Sequence, residues 1–302
     1  MGRIVSEEEK EYLKNYRLDK YERPSVAADI AVFSIMDGNR EEDIRKLPEK
    51  KLKVLLIQRG NFPYKGDWAL PGGFCEKGED VVESARRELE EETHVADALL
   101  QLVGVYGAPE RDPRGWVISN TYMALIDGNT CRLKADSDAR DARWFEVSME
   151  QEVKKREYHG ESGVVVTEYR LNLYDGVDVE LSATLQEKKE FRGYHEQSEF
   201  TITESEGFAF DHAKIILAAL LSLRRQVEED GKIVFDLMPE KFTLTQLQQA
   251  FEIILDRKLL VANFRRKMND YVRETEEMSE GRGYRPAKLF VRNVERLLGA
   301  MN

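Results

Sequence analysis

The stretch GFCEKGEDVVESARRELEEETHV, Gly73 to Val95, decides how this chain is read. It is entered through Trp68-Ala69-Leu70-Pro71-Gly72, where proline fixes φ and the Gly72-Gly73 pair permits left-handed backbone, so a strand gives way to a tight turn. From about Asp80 to Thr93 the pattern is helical. Val81, Val82, Ala85 and Leu89 recur on one side as a core stripe, and Glu83 with Arg87 and Arg86 with Glu90 stand at i,i+4. Glu88, Glu91 and Glu92 fall at i, i+3 and i+4, which gathers three carboxylates on one face. Three glutamates alone are most often a solvated face. Held together, they repel one another unless a cation lies among them. Hard oxygen donors with no His or Cys among them select Mg²⁺ or Mn²⁺, and Mg²⁺ keeps waters and binds substrate phosphates. Such an ion suits attack of an activated water on a pyrophosphate.

Working outward, Ser6 with Glu9 starts a short amphipathic helix running to Tyr16. Ala27 to Met36 and Leu52 to Ile57 read as strands able to pair as a hairpin, with a charged loop, Asp37 to Lys51, between them. Past the helix, strands are expected at Leu100 to Tyr106, Ser119 to Ile126 and Ala142 to Phe145. An extra hairpin is expected from Val164 to Tyr174 and Val177 to Thr184 around Asp175-Gly176. The best division lies near Ser205 to Gly207: a unit at 1–205 carrying the N-terminal helix and the hairpin inserted near 164–184, and a second at 206–302.

The second unit is helical. One helix runs from Asp211 to Glu229, and another opens at Thr243 with Gln246, presenting Leu244, Leu247, Phe251 and Ile254 on one face. A third carries Phe264, Met268 and Tyr271 inward and Arg265, Arg266 and Lys267 outward. Gly281 to Pro286 and the strand-like Ala287 to Val291 read as a glycine-rich basic hairpin, which completes a winged helix-turn-helix.

The net charge of −11 argues against uniform affinity for nucleic acid. The charge is uneven. Glu240 to Asn302 holds twelve Lys and Arg against nine Asp and Glu, so the tail is +3 and the preceding residues −14. No stretch is apolar enough for a membrane span, and the start has no apolar h-region, so a cytoplasmic protein without membrane partners is expected. Cys75 and Cys131 are expected to be free thiols.

The stretch resembles the Nudix hydrolase box. Gly73, Glu79, Arg87, Glu88, Leu89, Glu91, Glu92 and Val95 agree with it, and His94 stands where glycine is expected. The resemblance implies an α+β protein: a Nudix fold, a mixed sheet between helices, followed by the winged helix. Glu88, Glu91 and Glu92 would be metal ligands with the Gly73 carbonyl assisting, Arg87 would orient the carboxylates, and Glu79 would either support the ligands from behind or be an auxiliary ligand. Catalysis would fall to Glu92, Glu91, Arg87 and Glu79. His94 ends a helix where left-handed backbone is favoured, and His tolerates positive φ better than most residues.

Arg59, Arg111 and Arg114 resemble positions where ADP-ribose-type members hold phosphate or ribose, beside Gly72 and Gly73; solvated loop charges are the even alternative. Tyr64 and Phe62 are candidates to stack on adenine, while Trp68 suits the core. Phe208-Ala209-Phe210-Asp211-His212 followed by a winged helix resembles Nudix-related transcriptional regulators, in which dimers place recognition helices on double-stranded DNA. Asn263, Arg265, Arg266 and Lys267 would then approach bases or phosphates, with Arg285 and Lys288 on the backbone. The other use of such a module is dimerisation alone. Two functions stand from sequence: Mg²⁺-dependent hydrolysis of ADP-ribose or a similar nucleoside diphosphate derivative, and sensing of that ligand by a DNA-binding regulator.

Overall fold

The first long strand, β1 (Ser25–Asp37), shows why the chain is layered. Ala28, Ile30 and Val32 pack to one side, Ala31 and Phe33 to the other, and all are buried. A strand buried on both faces belongs inside a sheet covered by helices on both sides. The computed structural model describes residues 6–17, 20–38, 50–95, 98–128, 131, 139–279 and 286–297.

β1 pairs antiparallel with β2 (Lys50–Arg59), Phe33 facing Val54, and parallel with β6 (Val117–Leu125), Ala27 facing Ser119. Most of the expected loop from Asp37 to Lys51 lies outside the described residues. β5 (Leu100–Tyr106) borders β6, while two short strands, β3 (Trp68–Ala69) on β2 and β4 (Gly72–Phe74) on β1, carry the turn that enters the box. Beyond β2 come β7 (Ala139–His159), β8 (Ser162–Tyr174), β9 (Glu180–Arg192) and β10 (His195–Glu206) in succession. Ala142 to Phe145, expected as a separate strand, is the interior of the 21-residue β7. The expected hairpin is the β8–β9 pair. Asp175 Oδ1 accepts from the amides of Val177, Asp178 and Val179 and closes its turn.

One face of the sheet is covered by α2 (Val81–Thr93) through Ala85 and Leu89; Val81 is half-buried against them. The other face is covered by α3 (His212–Glu229), which buries Ile215, Ile216, Leu220 and Leu223. The same apolar cluster runs on into α4 (Leu244–Leu255) and α5 (Val261–Met268), through Leu247, Phe251 and Phe264. β10 ends and α3 begins with no break in this core.

The wing is β11 (Val272–Met278) paired with β12 (Lys288–Arg292), followed by α6 (Val294–Leu297). Two local expectations change here. Tyr271 lies in a 3₁₀ turn after α5 and not on the helix, and the first strand of the expected basic hairpin, which had no bounds in sequence, is β11. α1 (Glu7–Asn15) starts at Ser6, whose hydroxyl accepts from the Glu9 amide at 3.2 Å. Cys75 and Cys131 are free thiols, and among the described residues no helix is long and apolar enough to cross a membrane.

Candidate functional site

The box forms one wall of a cleft of about 340 Å³. β4 lies on β1 with Gly72 opposite Asp29 and Gly73 opposite Ala28. Gly72 is required by contact, since a Cβ there would meet the Ala28 carbonyl oxygen at 2.3 Å, whereas one on Gly73 would meet the far end of the Glu88 side chain, Oε1, at 2.3 Å and force it to withdraw. The backbone at Gly73 is therefore pressed against the Glu88 carboxylate.

α2 presents Glu88, Glu91 and Glu92 to the cleft, respectively half-buried, exposed and buried. The cation among the box carboxylates in this structure is Arg87. Its Nη1 donates to Glu88 Oε1 at 2.8 Å and lies 3.4 Å from Glu91 Oε2, and its Nε donates to Glu79 Oε1 at 2.9 Å. The i,i+4 partnership expected between Glu83 and Arg87 is replaced by this fan, and Glu83 instead accepts from the Asp80 amide at the start of the helix. Hydrogen bonds from Arg87 and from Ser84 Oγ hold the Glu79 carboxyl at about 2, well below the usual carboxylate range. Burial pushes the Glu88 carboxyl up, with Arg87 opposing.

Across the cleft stand the three expected arginines. Arg59 donates through Nε to the Pro63 carbonyl and lies 4.9 Å from the centre of the Phe210 ring. Arg114 grips Asp112 at 2.7 Å and rests between the rings of Phe74, at 4.9 Å, and Phe210, at 5.4 Å. Burial alone would raise the Asp112 carboxyl, but the bonds from Arg114 outweigh it and hold the group low. Arg111 is buried and donates to both oxygens of Asp211.

Asp29, Phe210, Asp211 and His212 complete the site without having been read from sequence as ligand contacts. His212 is packed, as its surroundings in sequence suggested: its Nδ1 accepts from the Leu70 amide at 2.8 Å, and burial lowers its basicity. Trp68 is core, edge-on to Phe145 at 4.8 Å. Tyr64 does not line the cleft itself but packs on Phe210, which does, and Phe62 projects into solvent. A second cavity, about 450 Å³ and mainly apolar, lies between β5, β6, the turn Lys232–Leu237 and β12, away from the carboxylates.

The winged helix presents a different surface. Asn263, Arg265, Arg266 and Lys267 are exposed on α5, and Arg266 Nη2 meets Asn263 Oδ1 at 3.3 Å. Among the described residues no carboxylate pairs with the three basic side chains, whereas Lys288 on the wing is held by Glu274 at 2.6 Å and Arg273 by Glu295 at 2.9 Å. Arg285 lies outside the described residues.

Residues 44–166 match the NUDIX domain, and residues 234–291 match the NrtR DNA-binding winged helix domain. The ADPR responsive transcriptional repressor NtrR of Acinetobacter baylyi is 30% identical over 95% of this chain and 90% of that protein. The chain belongs to the Nudix family, in the branch that carries an NrtR winged helix. An ADP-ribose pyrophosphatase of Methanocaldococcus jannaschii is 43% identical over 45% of the chain and 69% of its own length. The crystal structure of Shewanella oneidensis NrtR complexed with a 27mer DNA superposes with a TM-score of 0.59, at 24% identity, over 90% of this chain and 95% of that one, which shows the shared fold.

The one departure from the Nudix box is accommodated by backbone geometry. His94 ends α2 with φ 57° and ψ 25°, the left-handed conformation for which glycine is the usual choice, and its amide donates to the Glu90 carbonyl. Nudix hydrolases generally use a divalent ion. Among the described residues no three ligating side chains yet converge on one point. The donor chemistry nevertheless fits a hard cation: oxygen donors only, a glycine where a Cβ would strike a carboxylate, and a Glu88 carboxyl that burial disfavours in its charged form.

Proposed function

We propose that the chain is a regulator that binds a nucleoside diphosphate of the ADP-ribose type in the cleft and double-stranded DNA through its winged helix. The observation that carries this reading is the exposed basic face of α5, which no carboxylate among the described residues pairs, on a core continuous with the sheet that forms the cleft. The similarity to the A. baylyi repressor along nearly its whole length supports it. Arg59, Arg111 and Arg114 would face the diphosphate beside Gly72 and Gly73, while Asn263, Arg265, Arg266 and Lys267 would enter a groove, with Arg285 and Lys288 on the backbone. A homodimer would set two α5 helices one DNA turn apart. The unit at 1–205 would supply most of the cleft and the unit at 206–302 the DNA surface, with Phe210 and His212 of the second unit also lining the cleft. Fluorescence anisotropy on the chain's own promoter DNA tests the reading: salt-sensitive binding that ADP-ribose changes supports it, and no binding at low salt refutes it.

A second reading, hydrolysis, is favoured by the intact acidic positions of the box and the similarity to the M. jannaschii enzyme. Glu88, Glu91 and Glu92, with the Gly73 carbonyl, would hold Mg²⁺ or Mn²⁺, Glu79 keeping Arg87 in place beside them. When bound, the ion would neutralise the diphosphate and activate water. Release of AMP from ADP-ribose, abolished by Glu91→Gln or Glu92→Gln, is expected; no turnover across a nucleotide panel with either metal excludes it.

A further inference from the structure

Asp211 occupies the N-cap position of α3, yet its carboxylate makes no capping hydrogen bond. An aspartate there ordinarily accepts from the open amides of the first turn, where the helix dipole also favours negative charge. Here both oxygens are bonded by a residue one hundred positions earlier, the Lys214 ammonium of the first turn stands 3.7 Å from Oδ2, and the Lys214 amide donates to the Asp211 backbone carbonyl instead. Arg111 Nη2 donates to Oδ1 at 2.7 Å and Nε to Oδ2 at 3.2 Å, with only 5% of the Arg111 side chain exposed. The fork that a diphosphate would use is filled by a carboxylate of the protein itself.

The residues around Asp211 connect the cleft to the helices. Phe210, immediately before it, has φ 53°, a strained conformation for an aromatic residue, and its ring packs on Tyr64 at 4.7 Å. The strap from Gly207 to His212 is tied to β3: the Trp68 amide donates to the Gly207 carbonyl, the Ala209 amide to the Trp68 carbonyl, and the Leu70 amide to His212 Nδ1. β3 leads directly into Gly72 and Gly73. At its other end the strap becomes α3, which packs on α4 of the winged helix.

We propose that Asp211 is an internal competitor for the ligand's diphosphate at Arg111, and that a bound diphosphate displaces it toward the Ala213 amide and the Lys214 ammonium in the first turn of α3. The inference rests on the reading that the cleft takes a nucleoside diphosphate and the tail binds DNA. The Asp211 carboxylate can share Lys214 with Arg111 but cannot accept from the Arg111 fork and the Ala213 amide at once, so ligand and helix capping stand on the same side of the exchange. Relief of the strain at Phe210 accompanies the switch, and α3 carries it to α4. By linkage, whatever the ligand does to DNA affinity, DNA does equally to ligand affinity.

The test uses the full-length chain, with ADP-ribose affinity measured by calorimetry without DNA and DNA affinity by anisotropy with and without ADP-ribose. Asp211→Asn removes the charge that holds Arg111, and Asp211→Ser keeps capping ability while releasing the arginine. Both variants are expected to bind ADP-ribose at least about fivefold more tightly, with the ADP-ribose effect on DNA affinity falling toward none. Folded variants with wild-type ADP-ribose affinity, or with undiminished coupling, overturn the proposal alone. Wild-type protein that binds no ADP-ribose overturns the underlying reading as well. If neither variant folds by thermal melting, the pair is a fixed structural tie and the proposal falls.

Discussion

Replacing either neighbouring glycine with alanine should separate stability from ligand chemistry. At Gly72 the added Cβ would lie 2.3 Å from the Ala28 carbonyl oxygen and 2.8 Å from Asp29 Cα, both backbone, and φ is +150°. Neither neighbour can rotate away, so strain of about 1–3 kcal/mol adds to overpacking of about 1–3 kcal/mol, roughly 2–6 kcal/mol in all. At Gly73 the Cβ meets the far end of the Glu88 side chain at 2.3 Å, and restoring ordinary contact at 3.4 Å requires the carboxylate to withdraw by about 1 Å. That movement costs about 0.5–1.5 kcal/mol as an off-rotamer side chain. It also carries Glu88 away from Arg87. Urea unfolding followed by circular dichroism should therefore show a large loss for Gly72→Ala and a small one for Gly73→Ala. Calorimetry should show that Gly73→Ala, though folded, loses most Mg²⁺-dependent enhancement of ADP-ribose binding. Equal destabilisation of the two variants, or unaltered Mg²⁺ dependence in Gly73→Ala, would refute the reasoning.

Glu79 makes stability depend on pH: its folded carboxyl is held at about 2, below the unfolded range, so its contribution is present above about pH 4.5 and is lost as pH falls toward 2. Glu79→Gln should flatten that part of a melting-temperature profile, and an unchanged acid limb would rule the linkage out. His94→Gly should raise the urea midpoint by an amount equivalent to about 0.5–1 kcal/mol, because φ 57° strains histidine and not glycine; a lower midpoint would contradict it. Arg265→Ala should weaken DNA binding across sequences and reduce the salt slope by about 1 if the side chain neutralises a phosphate, which anisotropy at several salt concentrations measures.

The local chemistry of the box was legible because a helix repeats every 3.6 residues. Spacing alone placed Glu88, Glu91 and Glu92 together, put Ala85 and Leu89 in the core and marked the end of α2 at His94, whose positive φ the structure shows. The capping pair Thr243 and Gln246 was equally readable, as were the outward Arg265, Arg266 and Lys267. Each of these depends on residues within a few positions of one another.

Long-range placement was not legible. The outer part of β7 and nearly all of β10 alternate among charged and polar residues with little apolar rhythm, because much of this extension is exposed on both faces; ladder hydrogen bonds to neighbouring strands make them strands. The partner that Arg87 chose among several carboxylates depended on Glu79 being folded back by the turn before α2. Above all, nothing near Arg111 in the sequence points to Asp211. Their pairing exists because the loop after β5 and the start of α3 converge on the same end of the sheet, where burial makes an uncompensated charge costly. The sequence by itself determined which residues could hold a cation, cap a helix or face a groove; only the tertiary structure decided which charges meet, since that is set by chain crossings that no local period records.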